Sequence, residues 1–367
     1  MALPNETLTT IFDELPPSSL AAAARVSMRF NAVAERVLYA SIYITDLLTE
    51  ISPLPLKTLR WCEAMRRRPH LFESAKKLHI RWQANPSAPL PPPHYLFNAC
   101  EELADVLRLL TPLESLDLFL GPANLVRVAY QPPMHAIEQV IRGCHFSHLR
   151  SCTLGAESAK GVQPYTNILI GFLASLTTLR HLRLSDLHSA LDLPSEALAQ
   201  LSSFRGSADA AASLLPGRPV QYLSLIGQDS DVTRDNLPRM TRTTVPLRYL
   251  DLSAMSVRPV LLRNVSTYLP TVESLRVKLA LRHTLHYSFS GIRILAGLSS
   301  VLSAFHQLSY LDLSPTGIDG VGRADSLEEL ALCMEWHRAC PSLRRIIFPS
   351  QTEWNLNLSN VWTLVDN

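Results

Sequence analysis

The sequence is poor in the features that mark secretion, metal binding and membrane insertion. Six cysteines occur in 367 residues (Cys62, Cys100, Cys144, Cys152, Cys333 and Cys340), and no two form a C-x-x-C pair. Zinc sites and disulfide frameworks need closely spaced thiols, so the pattern speaks for small buried side chains in a reducing cytosolic or nuclear compartment. Long apolar runs are also missing. The best, ILIGFLASL at 168–176, is half the roughly 18 residues of a spanning helix. The first residues carry neither a basic region nor a long apolar stretch, so neither a secretory signal nor a membrane partner is expected. An excess of one charge is lacking too: 34 Lys and Arg face 32 Asp and Glu, a net +2 that gives no bulk attraction to nucleic acid. No G-x-S-x-G, H-E-x-x-H or P-loop occurs, and the glycines at 317, 320 and 322 in TGIDGVGR have the wrong spacing for a dinucleotide fingerprint. The twelve histidines show no metal-ligand spacing. No catalytic residue and no cofactor is expected; an enzyme would need a pocket of converging ionisable groups drawn from distant parts of the chain.

What the chain does have begins at its start, with LPNETLTTIFDELPPSSL at 3–20. Leu8, Ile11, Phe12 and Leu15 fall at i, i+3, i+4 and i+7, one apolar stripe of a helix. Pro4 suits a first helical turn, and Pro16-Pro17 stops the helix. Ser18 and Ser19 supply N-cap chemistry for the alanine-rich LAAAARV, and Ser27 for a third helix on which Phe30, Val33, Val37 and Leu38 share a face beside Tyr39. Three helices in about 45 residues is near the lower limit for a self-sufficient core. Such a unit should pack on the rest of the chain or offer an apolar face to a partner.

The stretch LPNETLTTIFDELPPSSLAAAARVSMRFNAVAERVLYASIYI resembles an F-box. The family pattern of Leu-Pro-x-Glu, an Ile-Phe pair, Leu-Pro, Leu, Val-Ser-x-Arg-Phe and a final Leu-Tyr appears in order: Leu3, Pro4, Glu6, Ile11, Phe12, Leu15, Pro16, Leu20, Val26, Ser27, Arg29, Phe30, Leu38 and Tyr39. The departure is LAAAA, where polar residues often punctuate the second helix. The resemblance implies a docking element for the Skp-type adaptor of SCF ubiquitin ligases, tethered through that adaptor to a cullin–RING scaffold. The adaptor-binding residues it implies are Leu3, Pro4, Leu8, Ile11, Phe12, Leu15, Leu20, Val26, Phe30, Leu38 and Tyr39. An F-box domain is thus expected at 1–45 and a helical linker at 46–74. The segment 57–82 holds eight Lys or Arg against two Glu. It reads as a helix with a solvated basic face, and its Arg-Arg-Arg-Pro-His-Leu before a strand is similar to fungal F-box proteins.

The remainder, 75–367, is a broken repeat. Apolar-x-x-L-x-L recurs as LESLDL from Leu113, LRSCTL from Leu149, LRHLRL from Leu179, VQYLSL from Val220, LRYLDL from Leu247, VESLRV from Val272 and LSYLDL from Leu308. AKKLHI from Ala75 and LRRIIF from Leu343 are degraded end copies. The starts lie 25 to 41 residues apart, with helical patterns between them. Strand, turn, helix, turn predicts an α/β fold: a three-helix F-box followed by an irregular leucine-rich-repeat solenoid, parallel strands on its concave face and helices on its convex face. The usual Asn or Cys after the last leucine is mostly absent, so no asparagine ladder is expected. QANPSAPLPPPHY at 83–95 must be a loop or polyproline II segment, either a spacer or a ligand for an SH3 or WW module. A second loop is expected over 204–219.

The strand period of two turns alternate side chains away from the core. It predicts an outward row of His79 and Arg81, Asp117 and Phe119, His181 and Arg183, Tyr222 and Ser224, Tyr249 and Asp251, Arg276 and Lys278, and Tyr310 and Asp312. That mixture of aromatics and charges suits a protein or peptide target. The function expected is a non-catalytic substrate receptor of a ubiquitin ligase, acting by proximity. The alternative is a repeat-domain interaction scaffold outside any ligase. Which target is held, and whether a phosphorylated segment is involved, stays open.

Overall fold

A computed structural model describes residues 3–84, 94–122, 124–125, 134–157, 165–280, 291–317 and 326–365. Most of the proline-rich 83–95 stretch, and all of 316–323 beyond residue 317, lie outside these residues. The chain forms two compact units, Met1–Leu187 with Leu193–Gln200, and His188–Asp192 with Leu201–Asn367.

The first unit opens with helices α1 (Asn5–Asp13), α2 (Pro17–Ala23) and α3 (Met28–Ala40). Ser27 caps α3 as expected, its Oγ accepting the Phe30 N–H at 3.1 Å. Ser18 and Ser19 do not cap α2. Pro16 occupies the N-cap and Pro17 the first turn, a position that suits proline because its missing N–H would be unpaired there anyway. Leu8, Phe12, Leu20, Val33 and Ala34 form a small core, with Leu15, Ala23, Ala24, Phe30, Val37 and Leu38 packed against it. Phe12 and Phe30 meet edge to face at 5.5 Å.

Strand β1 (Ser41–Leu48) follows α3 directly and crosses the expected boundary at residue 45. Then come α4 (Leu56–Arg67), β2 (Lys77–Ala84), α5 (His94–Leu107) and β3 (Ser115–Pro122). After a short antiparallel pair, β4 (Asn124–Leu125) and β5 (Met134–His135), the unit continues with α6 (Ala136–Ile141), β6 (Ser151–Glu157), α7 (Asn167–Ser175) and β7 (His181–Leu184). Strands β1, β2, β3, β6 and β7 pair in parallel in that order. Their register lines up Ile44, Ile80, Leu118, Leu154 and Leu184, each at most 8% exposed, in one inward row.

The second unit runs β8 (Ser203–Gly206), α8 (Ala208–Leu214), β9 (Tyr222–Leu225), α9 (Asn236–Met240), β10 (Tyr249–Val257), α10 (Pro259–Tyr268) and β11 (Ser274–Leu279). It continues with a 3₁₀ turn at Gly291–Leu298, α11 (Ser299–Leu302), β12 (Tyr310–Asp312), α12 (Ser326–Ala339) and β13 (Arg345–Ile347). Strands β8 to β13 pair in parallel in chain order, and β14 (Glu353–Leu356) and β15 (Trp362–Leu364) close the sheet antiparallel. The inward row reads Phe204, Leu223, Leu250, Leu275, Leu311, Ile346 and Trp354.

The expected loop at 204–219 is instead a strand and a helix. Leu201-Ser-Ser-Phe204-Arg-Gly206 is a copy of the repeat in which Phe and Gly replace the two leucines. Phe204 is fully buried and fills the leucine row, and Ser207 Oγ caps α8 by accepting the Ala210 N–H at 3.3 Å.

Helix ends are closed by buried carboxylates. Asp46, inward on β1, accepts the N–H groups of Lys57 and Thr58 at 2.8 and 3.0 Å at the start of α4, and the Thr58 hydroxyl at 2.7 Å. Glu138 on α6 likewise accepts the Thr166 and Leu169 N–H groups at 2.7 and 3.1 Å at the start of α7. Negative charge at a helix N-terminus complements the peptide dipoles there, which keeps a buried carboxylate affordable. All six cysteines are free and buried. Burial pushes the Cys62 and Cys144 thiols up to about 12 and raises Cys100, Cys152 and Cys333 as well.

Candidate interaction surfaces

At the N-terminus the residues of the apolar stripe divide into two groups. Leu8, Phe12 and Leu20 are 3–4% exposed, and with Leu15, Phe30 and Leu38 they hold the three helices together. Tyr39 is half-buried. Leu3, Ile11 and Val26 are 51%, 45% and 70% exposed, and Pro4 is exposed beside them in sequence. Met28, at 92%, joins this exposed apolar group although helical periodicity gives no signal for it. Arg29 organises the region: its Nε donates to Asn5 Oδ1 at 2.8 Å and its Nη2 to the Leu3 carbonyl. The start of the chain is thereby tied to the first turn of α3, where Met28 stands. The unit's own core is complete without Leu3, Ile11, Val26 or Met28, so their burial requires another surface.

Three arginines of the basic stretch behind it are held by carboxylates. Arg68 meets Glu35 of α3 at 2.7 Å, with His70 at 3.4 Å from the same carboxylate. Arg66 pairs with Glu102 and Arg67 with Glu63. These contacts join α3, α4 and α5, in keeping with a structural role.

On the sheet of the first unit, Tyr43, His79, Asp117, Thr153 and Arg183 share one cross-strand row. Tyr43 (73% exposed) lies 5.8 Å from the His79 ring, and His79 Nδ1 is 3.0 Å from Asp117 Oδ2. In the next row Arg81 lies over the Phe119 ring at 4.9 Å. His181 and Arg183 are exposed on β7. Tyr43 belongs to this group but lies on a strand without the leucine pattern, so only its SIYITDLL alternation announces it.

The second unit carries two rows: Ser203, Tyr222, Tyr249, Ser274, Tyr310 and Arg345, and then Arg205, Ser224, Asp251, Arg276 and Asp312. Tyr222 and Tyr249 stack with centroids 6.4 Å apart, and Arg345 lies over the Tyr310 ring at 4.9 Å. Arg276 and Lys278 are exposed. Three side chains expected to be open are not: Asp251, Asp312 and Ser224 are 5%, 6% and 1% exposed. They do lie on this face, but strand alternation sets direction and not depth, and longer neighbours cover them. Asp251 Oδ2 accepts from Ser224 Oγ at 3.0 Å and lies 3.9 Å from Arg205, while Oδ1 accepts the Ser253 N–H at 2.9 Å. Asp312 repeats the arrangement with the Ser314 N–H at 2.9 Å and Arg276 Nε at 3.1 Å. The repeated Tyr-Leu-Asp-Leu-Ser of β10 and β12 is the sequence signal for both turns. Burial alone would raise the Asp251 carboxyl; the Ser253 and Ser224 hydrogen bonds and the Arg205 charge outweigh it and hold it below the usual carboxylate range.

Among the described residues no cluster of three or more His, Cys, Asp or Glu is placed to hold a metal, and no helix is long and apolar enough to cross a membrane. The buried His135 and the half-buried Asp186 and Tyr165 form a hydrogen-bonded trio of the first unit, His135 Nε2 at 3.0 Å and the Tyr165 hydroxyl at 2.8 Å from the carboxylate.

Residues 1–45 match the family model described as F-box-like. Among solved structures, the chain is similar to one from the crystal structure of the Rad7 and Elc1 complex in yeast, with 13% identity, a TM-score of 0.37 and coverage of 93% of this chain and 87% of that one. A likeness of that size carries no functional weight. A search of the curated proteins finds no match.

Proposed function

We propose that this chain is a substrate-recognition subunit of an SCF-type cullin–RING ubiquitin ligase. The F-box-like region at 1–45 docks a Skp-type adaptor, and an irregular leucine-rich-repeat solenoid over 75–367 holds the target protein. The observation that carries the reading is the F-box-like match; the exposed Leu3, Ile11, Val26 and Met28, left over from a completed core, support it. The mechanism is proximity: two binding surfaces on one chain raise the effective concentration of target near an enzyme bound elsewhere on the scaffold. The chain itself contributes no bond chemistry.

The test is co-purification with a Skp-type adaptor and a cullin. Leu8 and Phe12 are poor choices for it, because charge there would unfold the three-helix core. Ile11→Asp with Val26→Asp changes only exposed positions. Wild type should retain adaptor and cullin, and the double variant should lose both while keeping its thermal midpoint. Adaptor without cullin would favour the scaffold reading, and no adaptor with wild type would sink the docking claim.

A further inference from the structure

The outward face of the second unit's sheet is electrically lopsided in depth. Its carboxylates lie at the bottom: the side chains of Asp251, Asp312 and Glu353 are 7%, 8% and 15% exposed. Its cations stand above them, with Arg205, Arg276 and Arg345 side chains 33%, 51% and 48% exposed. Lys278 is exposed on the same face of β11 as Arg276. Asp251 is pinned by the Ser253 N–H and the Ser224 hydroxyl, Asp312 by the Ser314 N–H, and Glu353 by the Asn355 side-chain amide. Each acid holds its arginine in place without cancelling its outer side. Arg276 meets Asp312 through Nε at 3.1 Å, the guanidinium nitrogen nearest its stem, and its side chain remains half exposed. Arg345 is braced twice, by Glu353 at 2.8 Å and by the Tyr310 ring. Tyr222 and Tyr249, 39% and 44% exposed, add stacked rings to the same surface. Pre-positioned guanidinium groups beside tyrosine faces are the composition of interface hot spots.

We propose that this face binds an extended acidic segment of a partner protein, through Asp or Glu carboxylates that bridge to Arg205, Arg276 and Arg345. The proposal rests on the target-receptor reading and names the chemistry of the target. The geometry also sets a spacing. Arg205 and Arg276 are cross-strand partners three strands apart, β8 to β11, or roughly 14 Å at about 4.8 Å per strand. An extended peptide crossing the strands covers that distance in about four residues. Acidic residues about four apart therefore meet successive arginines. Charge alone does not recruit nucleic acid here, since the chain's net charge is only +2.

Fluorescence anisotropy with the full-length chain tests this, using a fluorescein-labelled deca-glutamate peptide, its deca-glutamine counterpart and a deca-thymidylate oligonucleotide. At about 50 mM salt the glutamate peptide should bind, the glutamine peptide should not, and binding should weaken severalfold by about 300 mM as charges are screened. Arg276→Gln with Arg345→Gln should weaken it about tenfold or more. Because Arg276→Gln also unpairs Asp312, Lys278→Glu is the second variant; it leaves every pair on the floor intact and should weaken binding as well. Arg67→Gln, on α4 of the first unit, should change nothing. No binding by wild type, equal binding by the sheet variants, or equally tight binding of the oligonucleotide would overturn the proposal. Adaptor co-purification with the same sheet variants is independent of it, so loss of peptide binding with the adaptor retained leaves the ligase reading standing.

Discussion

Asp251 shows how much a single carboxylate contributes once it is covered. Its folded-state pKa is depressed, since the Ser253 and Ser224 hydrogen bonds and Arg205 prevail over burial. A depressed carboxyl contributes stability that is complete above its unfolded pKa and is lost as pH falls through the folded one. Asp251→Asn keeps the shape and removes the charge. The variant should have a lower urea midpoint than wild type at pH 7, and the gap should narrow as pH is lowered through about 4 towards 3. A gap that stays constant over that range would mean that the charge of Asp251 does not stabilise the fold. At this scale the sequence is legible in direction but not in depth. Alternation places Tyr249 and Asp251 on the same face, yet Tyr249 is 44% exposed and Asp251 only 5%. What separates them is cover from other strands, Ser224 of the adjoining β9 and Arg205 of β8 both reaching the Asp251 carboxylate, and no single strand carries that information.

Among the elements, strands written in the leucine code are legible and strands written otherwise are not. LESLDL, LRSCTL, LRHLRL, VQYLSL, LRYLDL, VESLRV and LSYLDL all become strands, as do the degraded AKKLHI and LRRIIF. Two of the hidden ones have physical reasons. In β1 the inward row includes Asp46, a charge that reads as solvent-facing until α4 is seen to present two N–H groups to it. In β8 the inward row is Phe204 and Gly206, one larger and one smaller than leucine. If β8 is a true repeat strand, its substitutions should behave like those of a core strand and its helix cap. Phe204→Ala should cost about 3–5 kcal/mol in chemical denaturation, and Ser207→Ala, which removes the cap of α8, about 1 kcal/mol. Losses under about 0.5 kcal/mol for both would return 204–219 to the status of a loop.

Across the whole molecule, the two proposed activities depend on residues that belong to different units and differ in chemistry. Adaptor docking draws on exposed apolar side chains at Leu3, Ile11, Val26 and Met28, and target binding on half-exposed arginines over buried acids. The first should resist salt, because apolar burial is insensitive to screening, and the second should not. Substitutions that share no partner are expected to be independent to within about 0.5 kcal/mol. Ile11→Asp with Val26→Asp should therefore abolish adaptor retention and leave the deca-glutamate affinity within about twofold of wild type. Lys278→Glu should do the reverse, weakening the peptide at about 50 mM salt while sparing the adaptor at about 50 mM and about 300 mM salt alike. Such a double dissociation is what a receptor working by proximity requires: each surface must hold its own partner whether or not the other is filled, since the gain comes from placing two partners on one chain and not from coupling between sites. Simultaneous loss of both activities in either variant, with the thermal midpoint unchanged, would instead mean a single shared surface, and the division of labour proposed for residues 1–45 and the later sheet would fall with it.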